Sequence, residues 1–377
     1  MGMFFWRRRP HHPGPIMLLE PAEGSLTPPL QQFRLPGPDA EADLPPDPDG
    51  LPQPRPESWW NPQRLSTDRS QPQPVAFRWL PPPARRRGLT YDLLIATDQA
   101  LAHPLVLQGI EQPQARIRHL FVDTDYYWKV IANHSGVPVS ESPVRHFRTH
   151  PALPRWLRVP EMTNVRDLGG WPVPGGQRVR QGLIYRSSEM NSHLNLTPEG
   201  TEILLHELGI RTDLDLRAES EEPAPALPSQ WVRHVSLPIR PYDGILEPEV
   251  QSTIAALFVE FAQADAYPIL MHCWAGADRA ATAAFLLHAA LGVQEPELAA
   301  DYELSSLSVW GDRSRHSPQY NSLLAALATF AESPTDTVNV HAVNYLRACG
   351  VPPEALEAIR ALLLETAPAP LPERERW

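Results

Sequence analysis

Residues 268–287 read Pro268-Ile269-Leu270-Met271-His272-Cys273-Trp274-Ala275-Gly276-Ala277-Asp278-Arg279-Ala280-Ala281-Thr282-Ala283-Ala284-Phe285-Leu286-Leu287. An apolar run ends at His272 and Cys273, Gly276 supplies a turn, and an alanine-rich stretch with strong helix propensity begins at about Arg279. The order is strand, short loop, helix. Backbone N–H groups between Trp274 and Arg279 can converge on a tetrahedral oxyanion, assisted by the positive end of the helix, with Gly276 permitting a conformation that a side chain resists. The same field favours the thiolate of Cys273, the form that attacks phosphorus. Arg279 can take two phosphate oxygens at once and stabilise charge on the transferring group. A structural alternative makes Cys273 a small buried hydrophobe at a strand end and Arg279 a surface residue, and an isolated Cys-x5-Arg spacing does not decide between them.

The surrounding pattern extends the reading. From about 154 to 366, short apolar runs alternate with helical stretches, which predicts an α/β domain with a central sheet flanked by helices. Strands are expected at 183–185, 212–216, 232–237 and 269–272, and helices at 198–208, 249–262, 280–291, 296–306, 338–348 and 353–364. His-Cys-x-x-Gly-x-Asp-Arg at a strand-to-helix junction resembles the signature of the cysteine-dependent protein tyrosine phosphatases. More narrowly, it is similar to bacterial tyrosine phosphatases whose loop reads His-Cys-x-Ala-Gly-Lys-Asp-Arg-Thr-Gly, some of which also act on phosphoinositides. Asn164-Val165-Arg166-Asp167-Leu168-Gly169-Gly170, Tyr185-Arg186-Ser187, Asp215-Leu216-Arg217 with Glu219 and Glu221, and Tyr302-Glu303-Leu304-Ser305 resemble further motifs of that family in its order. Of these, Arg166, Asp167 and Arg186 are expected to pair within the fold.

The resemblance implies a two-step phosphomonoesterase, most simply a protein-tyrosine phosphatase, needing neither metal nor cofactor. Cys273 is the nucleophile and Arg279 the phosphate-binding residue; Trp274, Ala275, Gly276, Ala277 and Asp278 form the phosphate loop, and His272 tunes the cysteine. Two aspartates compete for the general acid and base. Asp278 lies where the family carries its proposed acid, and Asp243 lies 30 residues before Cys273, where related enzymes place theirs on a mobile loop. Asp278 is favoured narrowly, and Asp243 before Gly244 also reads as a plain turn residue. The sequence departs from the family at Ala277 for lysine, Ala280 for threonine and Ala281 for glycine. One cation fewer disfavours multiply phosphorylated phosphoinositides, and the lost hydroxyl is expected to slow hydrolysis of the phosphocysteine. A phospho-ligand-binding module with weak turnover, a phosphoinositide phosphatase, and an adhesive role for the preceding domain stay open as alternatives; sulfur transfer ranks lower.

That preceding domain has a different period. Val75, Phe77 and Trp79 alternate, as do Leu89, Tyr91, Leu93 and Ile95, then Tyr126, Trp128, Val130 and Ala132 before the closing Phe147-Arg148-Thr149. These read as half-buried antiparallel strands and resemble a fibronectin type III sandwich, with a first strand at 16–21. Such a module offers a surface for a protein partner. Of the 45 prolines, 20 fall in the first 83 residues, so 28–74 is expected as a Pro-rich insertion in which Trp59 and Trp60 stand out. The expected division is a tail at 1–15, a fibronectin-like domain at 16–150, a phosphatase-like domain at 151–366 and a tail at 367–377.

Composition narrows the classes. A formal charge of −11 argues against a nucleic-acid binder driven by phosphate neutralisation. No apolar run reaches the roughly 18 residues of a transmembrane helix. The chain opens with a very short apolar stretch followed by Arg7, Arg8 and Arg9, a poor signal peptide. Two cysteines, Cys273 and Cys349, make no disulfide framework, so a cytoplasmic setting is expected, with secretion by another route left open. The expected partner is a phosphorylated protein or small phosphomonoester.

Overall fold

The computed structural model describes residues 15–33, 68–83, 88–221 and 223–368. Arg7, Arg8, Arg9, Trp59, Trp60, most of the Pro-rich stretch and nearly all of the C-terminal tail lie outside the described residues. The described residues divide into two compact units, one built from 15–30, 73–83, 88–152 and 368, the other from 31–33, 68–72, 153–221 and 223–367.

The first unit is all β. Its strands are β1 (Met17–Glu20), β2 (Ser25–Leu26), β3 (Val75–Leu80), β4 (Leu89–Ala96), β5 (Leu105–Ile110), β6 (Gln114–Ile117), β7 (Asp125–His134), β8 (Val137–Glu141) and β9 (Arg145–Arg148). One sheet runs β1-β3-β6; the other runs β2-β9-β7-β4-β5 with β8 beside β7. The alternating apolar residues meet between them: Phe77 packs edge-on against Trp128 at 5.0 Å and Phe147 at 5.7 Å, and Trp79 against Tyr91 at 5.4 Å. Strands β5, β6 and β8 were not expected. Pro138 after Gly136 reads as a turn, and β5 is exposed or half-buried throughout, so it shows no apolar alternation.

The second unit is α/β. It comprises β10 (Arg166–Asp167), β11 (Pro172–Val173), β12 (Gln177–Val179), β13 (Ile184–Ser187), α1 (Pro198–Glu202), β14 (Thr212–Asp215), β15 (Arg233–Ser236), α2 (Pro248–Phe261), β16 (Ile269–His272), α3 (Arg279–Leu291), α4 (Glu295–Glu303), α5 (Pro318–Ala328), α6 (Val338–Ala348), α7 (Pro353–Leu363) and β17 (Leu364–Thr366). The main sheet runs β10-β13-β16-β14-β15; β13, β16, β14 and β15 are parallel and β10 is antiparallel. All four residues of β16 are buried, as a central parallel strand requires. Ile269 and Met271 join the core that includes Ile254, Leu257 and Leu286, while Leu270 joins a second core with Leu204, Leu208 and Ile210. Both faces of the sheet are therefore covered, and the carboxyl end of β16 is the free place for a site.

Differences from the expected helices have local causes. The helix read at 198–208 is capped by Thr197, whose side chain accepts from Gly200 N, and turns π-helical at Ile203–Glu207. Helix α5 was not anticipated; Ser317 caps it by accepting from Tyr320 N, and Pro318 opens it. Gly292 ends α3 with φ 99°, the left-handed C-cap that glycine adopts freely.

Candidate functional site

Strand β16 delivers Cys273, 2% exposed, to the carboxyl edge of the sheet, and the loop 273–278 leads into α3 at Arg279. Three successive loop carbonyls are turned outward and held there. Trp274 O accepts from Glu189 N at 2.9 Å, Ala275 O from Asn164 Nδ2 at 3.2 Å, and Gly276 O from Arg186 Nε at 3.2 Å as well as from its Nη2. A peptide plane that faces its oxygen outward faces the neighbouring N–H inward. Among the described residues, none of the N–H groups of residues 274–278 has a protein acceptor. The result is a concave row of donors beside a cysteine at the N-terminus of a helix, the arrangement that takes an anion. Gly276 has φ +66°, and a Cβ there would lie 2.3 Å from Ser187 O, so the loop closes this tightly only without a side chain.

Two of the three groups that hold the loop, Arg186 directly and Asn164 through Arg166, are themselves held by Asp301. Its Oδ1 accepts from Arg166 Nε at 2.9 Å, its Oδ2 from Arg186 Nη1 at 2.7 Å, and its backbone oxygen from Arg166 Nη2 at 2.9 Å. Arg166 Nη1 also donates to Asn164 Oδ1, which fixes the amide that reaches Ala275. Both guanidiniums are fully buried. Burial pulls Arg186 down to about 10, and the two arginines beside Asp301, outweighing its desolvation, hold its carboxyl below the usual range. Asp167 does similar work nearby, accepting from Arg155 Nη1, Gly169 N and Gly182 N, each at 2.7 Å.

Around the loop, the expected residues are paired. Arg279 Nη2 donates to Glu221 Oε1 at 3.0 Å and Nη1 to Oε2, so the carboxylate grips the guanidinium end-on. Asp278 receives Arg313 Nε at 2.9 Å on Oδ1 and Arg313 Nη2 at 3.0 Å on Oδ2, with the Tyr242 hydroxyl also on Oδ1. Desolvation of Asp278 is outweighed by Arg313, and its carboxyl sits below the ordinary value. Asp243 is exposed on the 3-10 turn Tyr242–Leu246; it is placed next to Tyr242, whose φ of +62° is an unusual backbone for a tyrosine. His272 Nε2 lies 2.9 Å from Asp213 Oδ1, and although burial opposes it, the neighbouring Asp213 raises the imidazole above its ordinary value. Trp274 is half-buried and lies against His193 with ring centroids 4.0 Å apart. Ala277 and Ala280 are fully buried. Cys349 is half-buried at the end of α6, where burial pushes its thiol up to about 11, a packing environment.

Sequence reasoning did not identify Asp301, Glu189, Tyr242 or Arg313, and it quoted Glu221 without its role. Asp301 stands directly before the Tyr302-Glu303 motif, and a carboxylate demanded by two buried arginines was the available signal. Arg313 and Tyr242 carry no local signal, since they meet Asp278 only in three dimensions.

A strand, a donor-lined loop holding Cys273, and a helix that opens on Arg279, set at the carboxyl edge of a parallel sheet, define an α/β protein of the phosphatase type. The chain belongs to the tyrosine phosphatase family, which matches residues 157–365. A candidate tyrosine-protein phosphatase of Cupriavidus necator is 32% identical over 168 residues, covering 37% of this chain and 59% of the relative. The chain thus matches less than two thirds of that relative's length. Among solved structures, the core catalytic domain of the PP-IP phosphatase Siw14 from S. cerevisiae shares 16% identity over 38% of this chain and 82% of its own, with a TM-score of 0.29. A human fibronectin type III domain shares 22% identity over 23% of this chain and 73% of its own, with a TM-score of 0.19. Among the described residues, no helix is long and apolar enough to cross a membrane.

Two substitutions probe the loop's supports. Gly276→Ala places a methyl group against the Ser187 carbonyl and is expected to abolish measurable phosphate binding by calorimetry. Asp301→Asn leaves two buried guanidiniums without a counter-charge and is expected to cost about 3–5 kcal/mol in denaturant unfolding at neutral pH. Because the folded carboxyl of Asp301 is depressed, its contribution is present above the unfolded value of about 3.9 and fades as the pH falls below it; the difference between variant and wild type shrinks accordingly.

Proposed function

We propose that the chain is a cysteine-dependent phosphomonoesterase acting on phosphotyrosine in protein substrates. The observation that supports this best is the loop itself, with three consecutive carbonyls held outward beside a buried cysteine and an arginine at the first turn of the following helix. In the first step the Cys273 thiolate forms an S–P bond as the P–O bond to the leaving group breaks, and an acid gives the departing phenolate its proton. In the second step water attacks phosphorus, the same group takes the water's proton, and the S–P bond breaks to release phosphate. Arg279 spans two non-bridging oxygens in both steps, and the end-on grip of Glu221 leaves its Nε edge available for them. The division into a fibronectin type III-like module within 16–150, with a protein-partner role, and a phosphatase domain at 151–366 to which the described residues 31–33 and 68–72 also belong is part of the same proposal.

Asp278 is the proposed acid and base, with Asp243 as the competitor. With both oxygens engaged by Arg313 and Tyr242, Asp278 is ionised at neutral pH. Its acid form is therefore scarce there and grows as the pH falls. That supports a second reading, a phospho-ligand-binding module with slow turnover, which the buried Ala280 in place of a hydroxyl also favours.

The decisive assay is hydrolysis of p-nitrophenyl phosphate and a phosphotyrosine peptide in the presence of chelator. Chelator-resistant turnover abolished by Cys273→Ser is expected; phosphate or vanadate binding without turnover would move the assignment to the binding module. For the acid, an alkyl phosphate with a poor leaving group is expected to turn over faster as the pH is lowered from neutrality. Asp278→Asn should remove that rise while Asp243→Asn leaves it, and the reverse pattern would assign Asp243.

A further inference from the structure

Residues 31–33 and 68–72 lie ahead of the region matched to the family, yet they fold into the second unit. Gln31 bridges to Pro72, its Nε2 donates to Pro154 O at 2.8 Å, and Arg69 N donates to Leu307 O at 2.8 Å. Between these anchors Ser70 is driven inward until it is 1% exposed. Its Oγ accepts from Asn164 N at 3.0 Å, while its own hydroxyl proton goes to Asp68 Oδ1, which also accepts Ser70 N at 2.9 Å. Gln71 Nε2 holds the other carboxylate oxygen of Asp68 at 2.7 Å. The serine is thus oriented from one side so that a lone pair is presented on the other.

The residue it meets is the one on which the loop depends. Asn164 is fully buried and sits at φ +59°, a left-handed conformation that a non-glycine residue keeps only when its surroundings fix it. Ser70 supplies the acceptor for its backbone N–H, and its side chain holds Ala275 O outward. Without the hydroxyl, that buried N–H has no acceptor, and the backbone gains by rotating away. The amide then leaves Ala275, whose carbonyl is free to turn its negative end toward the anion.

We propose that residues 68–72 form a strap that sets the phosphate loop, with Ser70 as a positioning residue acting through Asn164. The proposal rests on the phosphate-binding reading of the loop, and it extends the catalytic unit beyond the family region into a segment on the N-terminal side of the β unit's third strand.

The test uses the full chain. Affinity for inorganic phosphate, and kcat and KM for p-nitrophenyl phosphate, are measured for the wild type, Ser70→Ala, Asn164→Ala, the double variant and Asp68→Ala. Ser70→Ala is expected to weaken phosphate binding by about tenfold, the scale of one lost buried hydrogen bond, and to raise KM in step while unfolding stays cooperative. Asp68→Ala should give a smaller loss in the same direction, and it decides the matter if Ser70→Ala does not fold. In the Asn164→Ala background, Ser70→Ala should add nothing, because its effect passes through that residue. Phosphate affinity within about twofold of wild type, or losses that multiply in the double variant, would overturn the strap while leaving the phosphatase reading intact. A wild-type protein that neither binds phosphate nor hydrolyses the ester would overturn both.

Discussion

A loop that aims its peptide N–H groups at one point must send the matching carbonyls the other way, and each needs a donor where it lands. In this protein that demand is met by Glu189 N, Asn164 Nδ2 and Arg186, which come from segments far from the loop in sequence. Backbone carbonyls left without donors inside a folded unit are costly, so the loop and its holders can only be stable together. Much of the rest follows from supplying those holders in the right places. Strand β13 lies beside β16 and carries Arg186, and the adjoining β10 carries Arg166 next to it.

Placing two guanidiniums under the loop creates a second demand. Buried cations need a counter-charge, and Asp301 on α4 answers both with one carboxylate plus its own carbonyl. The consequence of this economy is sensitivity, because a single residue on a helix distant in sequence stands behind two of the loop's three supports. The upper rim is built differently. There the charged groups are paired one to one, Arg279 with Glu221 and Asp278 with Arg313, and each pair is partly accessible. Fixed supports below and exchangeable pairs above suit a site whose floor must be rigid and whose ligand must displace or share a partner on entry.

The organisation was legible in sequence wherever periodicity and spacing are local. Strand β16, expected at 269–272, forms at Ile269–His272, and helix α6, expected at 338–348, forms at Val338–Ala348, because each is read from its own residues. The alternation in β3, β4 and β7 likewise announced a two-sheet core around Phe77 and Trp128. Strands β5, β6 and β8 carry little buried apolar pattern, and the Ser317 and Pro318 that open α5 are residue types that serve a loop equally well, so none of these elements has a local signature of its own. The Pro-rich stretch at 28–74 is expected as an insertion in the first domain, but its described residues 31–33 and 68–72 belong to the second unit.

The sequence by itself determined the strand-loop-helix unit, the placing of Cys273, Gly276 and Arg279 within it, and the family order of the flanking motifs, because those depend on propensity, turn chemistry and spacing along one chain. Only the tertiary structure decided which residues hold the loop, that Asp301 joins Arg166 to Arg186, that Arg313 and Tyr242 occupy both oxygens of Asp278, and that Ser70 braces Asn164. Those are hydrogen bonds and ion pairs between groups from 35 to 135 residues apart, and their partners are chosen by which side chains the packed sheet and helices bring within about 3 Å.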